Sequence, residues 1–432
     1  MLSKEQNELL TRVGPGTPMG NLLRCFWMPA LLEEEVAEPD GPPVRLRLLG
    51  EDLVAFRDTE GRVGILDAYC AHRRANLFFA RNEECGLRCV YHGWKFDVNG
   101  NCVETPSEPD ESASFRARAK LKSYPTALRG GVIWIYMGAA EHPAQPPDFE
   151  WSLLPARQRT ATKRYQQNNW AQAVEGGIDS SHISFLHSHT PKQAPTAKRG
   201  EVVVKYWGVD RHPRFDVQET PYGMRIAARR ESGEENLYYW RVTQFLLPFY
   251  TMIPPRGSGT DSRDAWYYGH AFVPIDDENT WSWSFSASPH AEYSDEEIEL
   301  HGGRDGHWGP TDENYHPRFN KQNDYSINRD RQRKENFTGI QGIPNQDSAV
   351  QESMSPIVDR TKERLGHSDR AIVNFRRMLI RLAEEHAKGE FPAPAAHADW
   401  YRVRSAFALV AKDKSLEEGA GWLLTSEQRA AE

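Results

Sequence analysis

Two stretches decide the fold: ILDAYCAHRRANL, residues 65–77, and LRCVYHGWKFDVNG, residues 87–100. Together they read C-x-H (Cys70, His72), sixteen residues, then C-x-x-H (Cys89, His92). Each pair stands where a short apolar run meets a tight loop, so two facing loops present two thiols and two imidazoles. Such a set can hold a tetrahedral zinc ion, or a [2Fe-2S] cluster in which two histidines replace two cysteines on one iron. Zinc fingers keep like ligands together, a C-x-x-C pair followed by a pair of histidines. Here each loop supplies one Cys and one His, an arrangement suited to two chemically different irons.

With these residues the chain resembles the Rieske [2Fe-2S] domain, in the version found in aromatic ring-hydroxylating oxygenases. Those proteins continue Y-H-G-W, as Tyr91 to Trp94 do here. Rieske proteins of respiratory complexes carry a further Cys in each loop, joined as a disulfide. The corresponding positions here, around Ala75 and after Cys89, are not Cys. The resemblance implies that Cys70, His72, Cys89 and His92 bind a [2Fe-2S] cluster.

A chain of 432 residues has room for two or three domains with separate cores. The net charge of -8, with both signs interspersed, offers nothing to nucleic acid or to an anionic membrane surface. No apolar run approaches the roughly 18 residues that span a bilayer. MLSKEQNELLTRVG at the start reads as a polar amphipathic helix instead of a signal peptide. Five Cys do not make a secreted disulfide framework, and Cys25, Cys85 and Cys102 read as ordinary thiols. The expectation is a cytoplasmic protein with no nucleic-acid or membrane partner.

Outward from the two loops, the expected fold class is α+β: a small all-β domain and a larger domain built on an antiparallel sheet flanked by helices. Residues 1–24 form an N-terminal helical segment in which GPGTPMG, residues 14–20, is a turn. Residues 25–147 form the cluster domain. Its strands alternate from Val44, Asn99-Gly100-Asn101 marks a hairpin, and GVIWIYMG (131–138) is a closing strand. The Pro-rich stretch from Glu141 to Pro155 is the expected linker, and residues 148–432 form the second domain. There, 164–190 reads as a helix weakened by Gly176-Gly177, and 201–255 with 265–288 as one sheet. Residues 295–336 read as a surface excursion. In the last helix Ile372, Phe375, Leu379 and Leu382 make a core stripe.

Glu175, Asp179 and His182 fall at i, i+4 and i+7, one face of a regular helix, whereas His187 does not. Both imidazoles reach one metal only if the helix ends or bulges between them. The D-x-x-H-x-x-x-x-H pattern resembles the mononuclear iron site of Rieske oxygenases. That resemblance implies His182, His187 and Asp347 as Fe(II) ligands, a two-His-one-carboxylate set with open positions, with Glu352 and Asp359 as lesser candidates. It further implies that Asp179 bridges an iron-ligand His to a cluster-ligand His of a neighbouring subunit. A head-to-tail trimer, or two stacked trimers, follows from that bridge.

Near both ends, VGPGTPMGNLLRCFWMPA and QDSAVQESMSPIVDRTKERLGHSDRAI resemble the phthalate dioxygenase group, with its chlorobenzoate and phenoxybenzoate members. The resemblance implies an oxygenase component that inserts both atoms of O2 into an aromatic carboxylate to give a cis-dihydrodiol. The chain has no credible flavin or nicotinamide site, so electrons from NADH need a reductase, implied to be a flavin protein fused to a plant-type ferredoxin. A carboxylate calls for arginine. Arg241, which interrupts an apolar strand, and Arg211 are the expected anchors, with Ser180 and Ser181 beside His182 adding hydroxyls. A single anchoring arginine fits a 3-substituted benzoate better than phthalate. Three other readings remain: a Rieske mono-oxygenase acting as demethylase or side-chain hydroxylase, a Rieske electron carrier, and a zinc-stabilised binding module.

Overall fold

Period-two alternation from Val44 produces three antiparallel strands, Val44–Leu48, Glu51–Arg57 and Val63–Asp67, the last running directly into the loop that carries Cys70 and His72. A second sheet of four short strands, Arg81–Glu83, Gly86–Arg88, Lys95–Phe96 and Cys102–Glu104, holds the Cys89–His92 loop between its second and third members. The expected hairpin closes at Gly100, whose φ of 74° suits glycine. Behind the two loops, Val54, Phe56, Leu66, Leu87, Trp94 and Phe96 form a separate small core. This computed structural model describes residues 1–109, 113–139, 145–188, 204–255 and 259–426.

The closing strand of this unit, Val132–Tyr136, is the middle of a third sheet, between Trp27–Leu32 and Thr126–Arg129. That sheet faces the second domain. The Tyr250 hydroxyl donates to the Trp27 carbonyl at 2.6 Å, and Trp134 and Tyr250 belong to one continuous core. The N-terminal segment also rests on the second domain. Its helix, Lys4–Thr11, starts from a Ser3–Gln6 capping box, and the Thr11 carbonyl accepts from Asn169 Nδ2 at 2.9 Å. Only the first half of the glycine-rich stretch after it is a turn, because Thr17 caps a second helix, Pro18–Arg24.

The second domain carries an eight-stranded antiparallel sheet. Seven strands run in the order Arg159–Gln166, Thr280–Ala287, Tyr267–Pro274, Tyr250–Ile253, Leu237–Leu246, Gly223–Glu231, Arg214–Thr220. The eighth, Ala406–Ala411, pairs with the first half of Leu237–Leu246. Three helices matter for the site: Trp170–Ile178, Ile343–Ser353 and Arg370–Ala387. On the last of these Phe375 and Leu379 are fully buried, Phe375 edge-on to Phe245 and Trp170. Burial of that one ring is worth about 1.5–3 kcal/mol. Among the described residues no helix is long and apolar enough to cross a membrane.

Besides the glycine-rich stretch, five expectations change. The stretch read as sheet from 201 forms the helix Val204–Val209 before its first strand begins at Arg214. The stretch read as a helix from 164 begins as the edge strand, and helix runs only from Trp170 to Ile178. Asp179 already has extended backbone, ψ 109°, so Glu175, Asp179 and His182 do not share a helical face. The expected linker, from residue 145, is packed: Trp151 is buried and stacks on Phe285 at 4.0 Å. The segment 295–336 is no mere surface excursion, since His301, Trp308, Tyr315 and Tyr325 are buried and Trp308 reaches the central cavity. Parts of three sequence readings, residues 141–144, 189–190 and 201–203, lie outside the described residues.

Candidate metal centres and substrate cavity

The two cluster loops are built alike. The amide of Cys70 donates to the carbonyl of Ala75 and the amide of Arg74 returns to the carbonyl of Cys70; Cys89, Trp94 and Gly93 repeat the pattern at the same spacing. Arg74 (φ 59°) and Gly93 (φ 80°) occupy equivalent left-handed positions, which turn each loop back on itself. At Gly93 a Cβ would stand 2.8 Å from Pro106, so close packing adds to the demand for glycine. The thiols point inward and the imidazoles outward: Cys70 and Cys89 are 2% and 4% exposed, whereas His72 and His92 are half-buried. Burial, with Cys89 close by, pushes the Cys70 thiol up to about 12. The imidazole rings of His72 and His92 meet edge to face at 4.5 Å, and Trp94 stacks on His72 at 4.5 Å. His72 Nδ1 is buried with no hydrogen-bond partner. An orphaned imidazole nitrogen beside a second imidazole and two adjacent thiols is a donor set that suits a [2Fe-2S] group with both thiolates on one iron and both imidazoles on the other.

The second constellation forms where the helix Trp170–Ile178 stops. Asn169 caps its start, and Gly176 and Gly177 let it lie close to its neighbours. A Cβ at 176 would fall 2.1 Å from Gln351 Nε2, and one at 177 would fall 2.9 Å from Phe272. After the helix ends, a short 3-10 turn, His182–Ser184, swings the chain so that both imidazoles face Asp347 on the helix Ile343–Ser353. His182 Nε2 and His187 Nε2 are 3.2 Å apart, and Asp347 Oδ1 is 3.3 Å from His187 Nε2 and 3.7 Å from His182 Nε2. Three donor atoms therefore converge on one point, the two-His-one-carboxylate set that leaves positions open on iron. Glu352 and Asp359 are engaged elsewhere. Glu352 accepts from the Tyr325 hydroxyl, and Asp359 is exposed and paired with Lys362.

Neighbouring groups orient this triad. His187 Nδ1 lies 2.7 Å from Gln346 Oε1, whose amide is itself held by Nε2 donating to the Ile340 carbonyl. An amide oxygen only accepts, so the His187 proton sits on Nδ1 and Nε2 is left free for a metal. Asp179 Oδ2 stands 3.6 Å from His182 Nδ1, and Asp179 Oδ1 accepts from the Ser181 amide at 2.6 Å. Burial alone would raise Asp179, but its hydrogen bond and charge contact with His182 hold it below the usual range. The Asp179 side chain remains 23% exposed, so it touches His182 while staying reachable from outside.

A cavity of about 130 Å³ opens beside the triad. A dry cavity of roughly 150 Å³ accepts a benzene ring, so this one is on the scale of a single ring. Arg241 lines the cavity, 7% exposed, and burial lowers its pKa. Ser180 lines it as well, whereas Ser181 does not. Arg211 stands apart: it is exposed, its guanidinium over the ring of Phe185, outside the cavity. It lies between the helix Val204–Val209 and the strand Arg214–Thr220, not on the sheet where its sequence context places it. Four cavity residues have no sequence signal of their own: Arg164, His270, His307 and Trp308. His270 Nδ1 faces the Trp283 carbonyl at 3.3 Å, and burial takes the imidazole down to about 4, so it is neutral.

Comparison with known proteins agrees with this geometry. Residues 26–125 match the Rieske [2Fe-2S] domain family, and residues 135–420 match the LigXa C-terminal domain like family. The phthalate 4,5-dioxygenase oxygenase subunit of Pseudomonas putida is 40% identical, over 96% of this chain and 93% of that protein. The 3-chlorobenzoate-3,4-dioxygenase oxygenase subunit of Comamonas testosteroni is 36% identical over 99% of both. The 5,5'-dehydrodivanillate O-demethylase oxygenase subunit of a Sphingobium species is 33% identical over 91% of this chain and 83% of its own. Among solved structures, dicamba monooxygenase bound to 3,6-dichlorosalicylic acid shares the fold, with a TM-score of 0.60 at 18% identity over 85% of this chain and 99% of that one. The chain belongs to the Rieske non-haem iron oxygenases, as an oxygenase component that uses O2, a [2Fe-2S] cluster and Fe(II) and works with a reductase.

Proposed function

We propose that the protein is the oxygenase of a two-component dioxygenase that inserts both atoms of O2 into an aromatic carboxylate, giving a cis-dihydrodiol. The substrate class is a 3-substituted benzoate, such as 3-chlorobenzoate, or a phthalate-type acid. The observation that carries this reading is the ring-sized cavity beside the His182–His187–Asp347 triad, with the Arg241 guanidinium in its wall. In this reading His182, His187 and Asp347 hold Fe(II), Cys70, His72, Cys89 and His92 hold the cluster, and residues 25–147 and 148–432 are the units that carry them. The two centres supply electron storage and O2 activation. Arg241 binds the carboxylate, which it can take bidentately, and the apolar walls, including Ile183 and Phe272, orient the ring and keep water out.

Asp179 links the centres between subunits. Support comes from its contact with His182 together with its partial exposure, which leaves one edge of the carboxylate for a histidine of a neighbouring chain. The assembly is then a head-to-tail trimer or a stacked hexamer. Electrons come from NADH through a reductase of the flavin and plant-type ferredoxin kind, in the cytoplasm. Mono-oxygenation is the second reading, favoured by the likeness to a demethylase subunit over 91% of the chain. The test is NADH-dependent turnover of benzoate and phthalate isomers under 18O2 with such a reductase. Two labelled oxygens in a carboxylated cis-diol support dioxygenation. One labelled oxygen selects the second reading, and no turnover of any aromatic acid rejects the substrate class.

A further inference from the structure

Buried arginines in this protein generally meet carboxylates. Arg24 lies 2.8 Å from Glu51, Arg360 lies 3.0 Å from Glu175, Arg376 reaches both Glu175 and Glu363, and Arg404 reaches Glu150. Arg164 departs from that pattern. It is 4% exposed and lines the cavity, yet among the described residues no carboxylate comes within ion-pair distance of it. Its hydrogen bonds go to neutral acceptors. Nη1 donates to the Trp308 carbonyl at 3.1 Å and Nη2 to Asn345 Oδ1 at 3.4 Å, while Nε is buried with no partner.

The two acids that Arg164 feels, Glu352 and Asp347, are committed elsewhere. Glu352 accepts from the Tyr325 hydroxyl at 2.5 Å and the Gln167 amide at 3.2 Å, and Asp347 faces the two histidines. The surroundings are nevertheless shaped to hold the guanidinium in place. Gly309, at φ 99°, follows the Trp308 carbonyl, and a Cβ there would stand 3.0 Å from Arg164 Nη1. A buried charge held in this way is costly until an anion reaches it. Arg230, also buried, does not line the cavity, and it donates to the Ser180 carbonyl.

Position gives the unmatched charge a use. Arg164 sits on the first strand of the sheet and Arg241 on the fifth, with three strands between them. At the usual strand spacing the backbones are about 19 Å apart, yet both side chains end at one cavity, so they enter from opposite sides. Arg164 feels the charge of Asp347 and His182 feels that of Arg241, so each guanidinium stands near a different member of the triad in the wall of one cavity. A ring anchored through a carboxylate on Arg241 shares its cavity with Arg164, a second guanidinium in the wall.

We propose that Arg164 is a second anion-binding residue, so that the preferred substrate is an aromatic acid with a second anionic group across the ring, as in a 1,3- or 1,4-dicarboxylate. This rests on the aromatic-acid reading above. The test is calorimetric binding of benzoate, phthalate, isophthalate and terephthalate to the metal-loaded protein without O2, for the native chain, Arg164→Met and Arg164→Lys. Iron content and cluster absorbance are measured in parallel. A charge-assisted hydrogen bond removed from a buried site predicts a loss of roughly 10- to 100-fold in the affinity of Arg164→Met for isophthalate or terephthalate. Benzoate affinity stays within about twofold, and Arg164→Lys recovers part of the loss. Equal losses for all four acids, or loss of iron, would assign Arg164 to holding Trp308 and Asn345 and overturn the proposal, as would no change for any acid. If Arg164→Met fails to fold, Arg164→Lys decides, since a flexible point charge lowers dicarboxylate affinity alone if the proposal holds. Failure of the native chain to bind any of the four acids would refute the aromatic-acid reading itself.

Discussion

Replacing Glu175 by Gln tests how the helix Trp170–Ile178, which leads into the His182–His187 segment, is held. Glu175 Oε1 accepts from Arg360 Nε at 3.0 Å and from Arg376 Nε at 2.8 Å; Arg376 also takes Glu363 in a two-pronged pair, and Arg360 Nη1 donates to Asn7 Oδ1. Two arginines and two glutamates thus join the helix Trp170–Ile178 to the last long helix and to the N-terminal helix. Arg360 is fully buried and Arg376 nearly so. Glu175→Gln leaves one positive charge uncompensated, and breaking a buried pair in this way costs about 3–5 kcal/mol. For a unit of roughly 285 residues with an unfolding entropy near 2.1 cal/mol/K per residue, that is a fall of about 5–8 °C in Tm.

The pH dependence has a definite sign. Burial would raise the Glu175 pKa, but Arg360 and Arg376 outweigh it and hold the carboxyl below its usual range. A depressed folded pKa contributes stability that is complete above the unfolded value, about 4.3, and is lost as pH falls through the folded value. Differential scanning calorimetry of the native chain and Glu175→Gln at pH 7 should show the full difference, and the two should converge as pH drops below about 4.5. Iron content should not change, because the carboxylate serves the arginines and not the metal. A Tm within 1 °C of the native chain at pH 7, or a gap that widens in acid, would refute the reasoning.

Other expectations follow from the site. His187→Ala and Asp347→Ala should lose the mononuclear iron and all turnover while the visible absorption of the cluster persists, since these ligands belong to a different domain; iron and sulfide assays check this. Asp179→Asn should keep both centres and slow the transfer of electrons from reduced cluster to product by roughly 10- to 100-fold, the usual scale for partners that orient a ligand histidine. Stopped-flow decay of the reduced cluster with substrate and O2 measures it. Arg241→Met should raise KM for an aromatic acid by 10-fold or more, since losing one partner of a buried charge pair costs about 2–5 kcal/mol. The same variant should leave iron content unchanged.

The cluster loops were legible because ligand chemistry depends on residue type and spacing, and both survive without knowledge of the fold. That His182, His187 and Asp347 come together was legible for the same reason, although their local geometry was not. Helical periodicity runs past Ile178 in the sequence, and nothing in it says that Asp179 turns extended. The strand Arg159–Gln166 escaped notice because RTATKRYQ is polar. Its two buried cations meet partners from far along the chain, Lys163 the carboxylate of Glu35 at 2.6 Å and, among the described residues, Arg164 only the neutral Trp308 carbonyl and Asn345 amide. The strand Ala406–Ala411 is short and follows a helix, so its pairing with Leu237–Leu246 could not be read locally. The substrate residues were the least legible. Arg211 and Arg164 are equally plausible arginines in a polar sequence, and only the fold puts one outside on Phe185 and the other in the cavity wall.

The central claim is that the two metal centres act together on one substrate, and a single turnover tests it most directly. Protein reduced at both centres and freed of reductant is mixed with O2 and a bound aromatic acid, and product and cluster oxidation are followed together. The account predicts about one cis-diol per mononuclear iron, formed as the cluster loses its electron, and almost none when the cluster starts oxidised. An equal yield from protein with an oxidised cluster would contradict it.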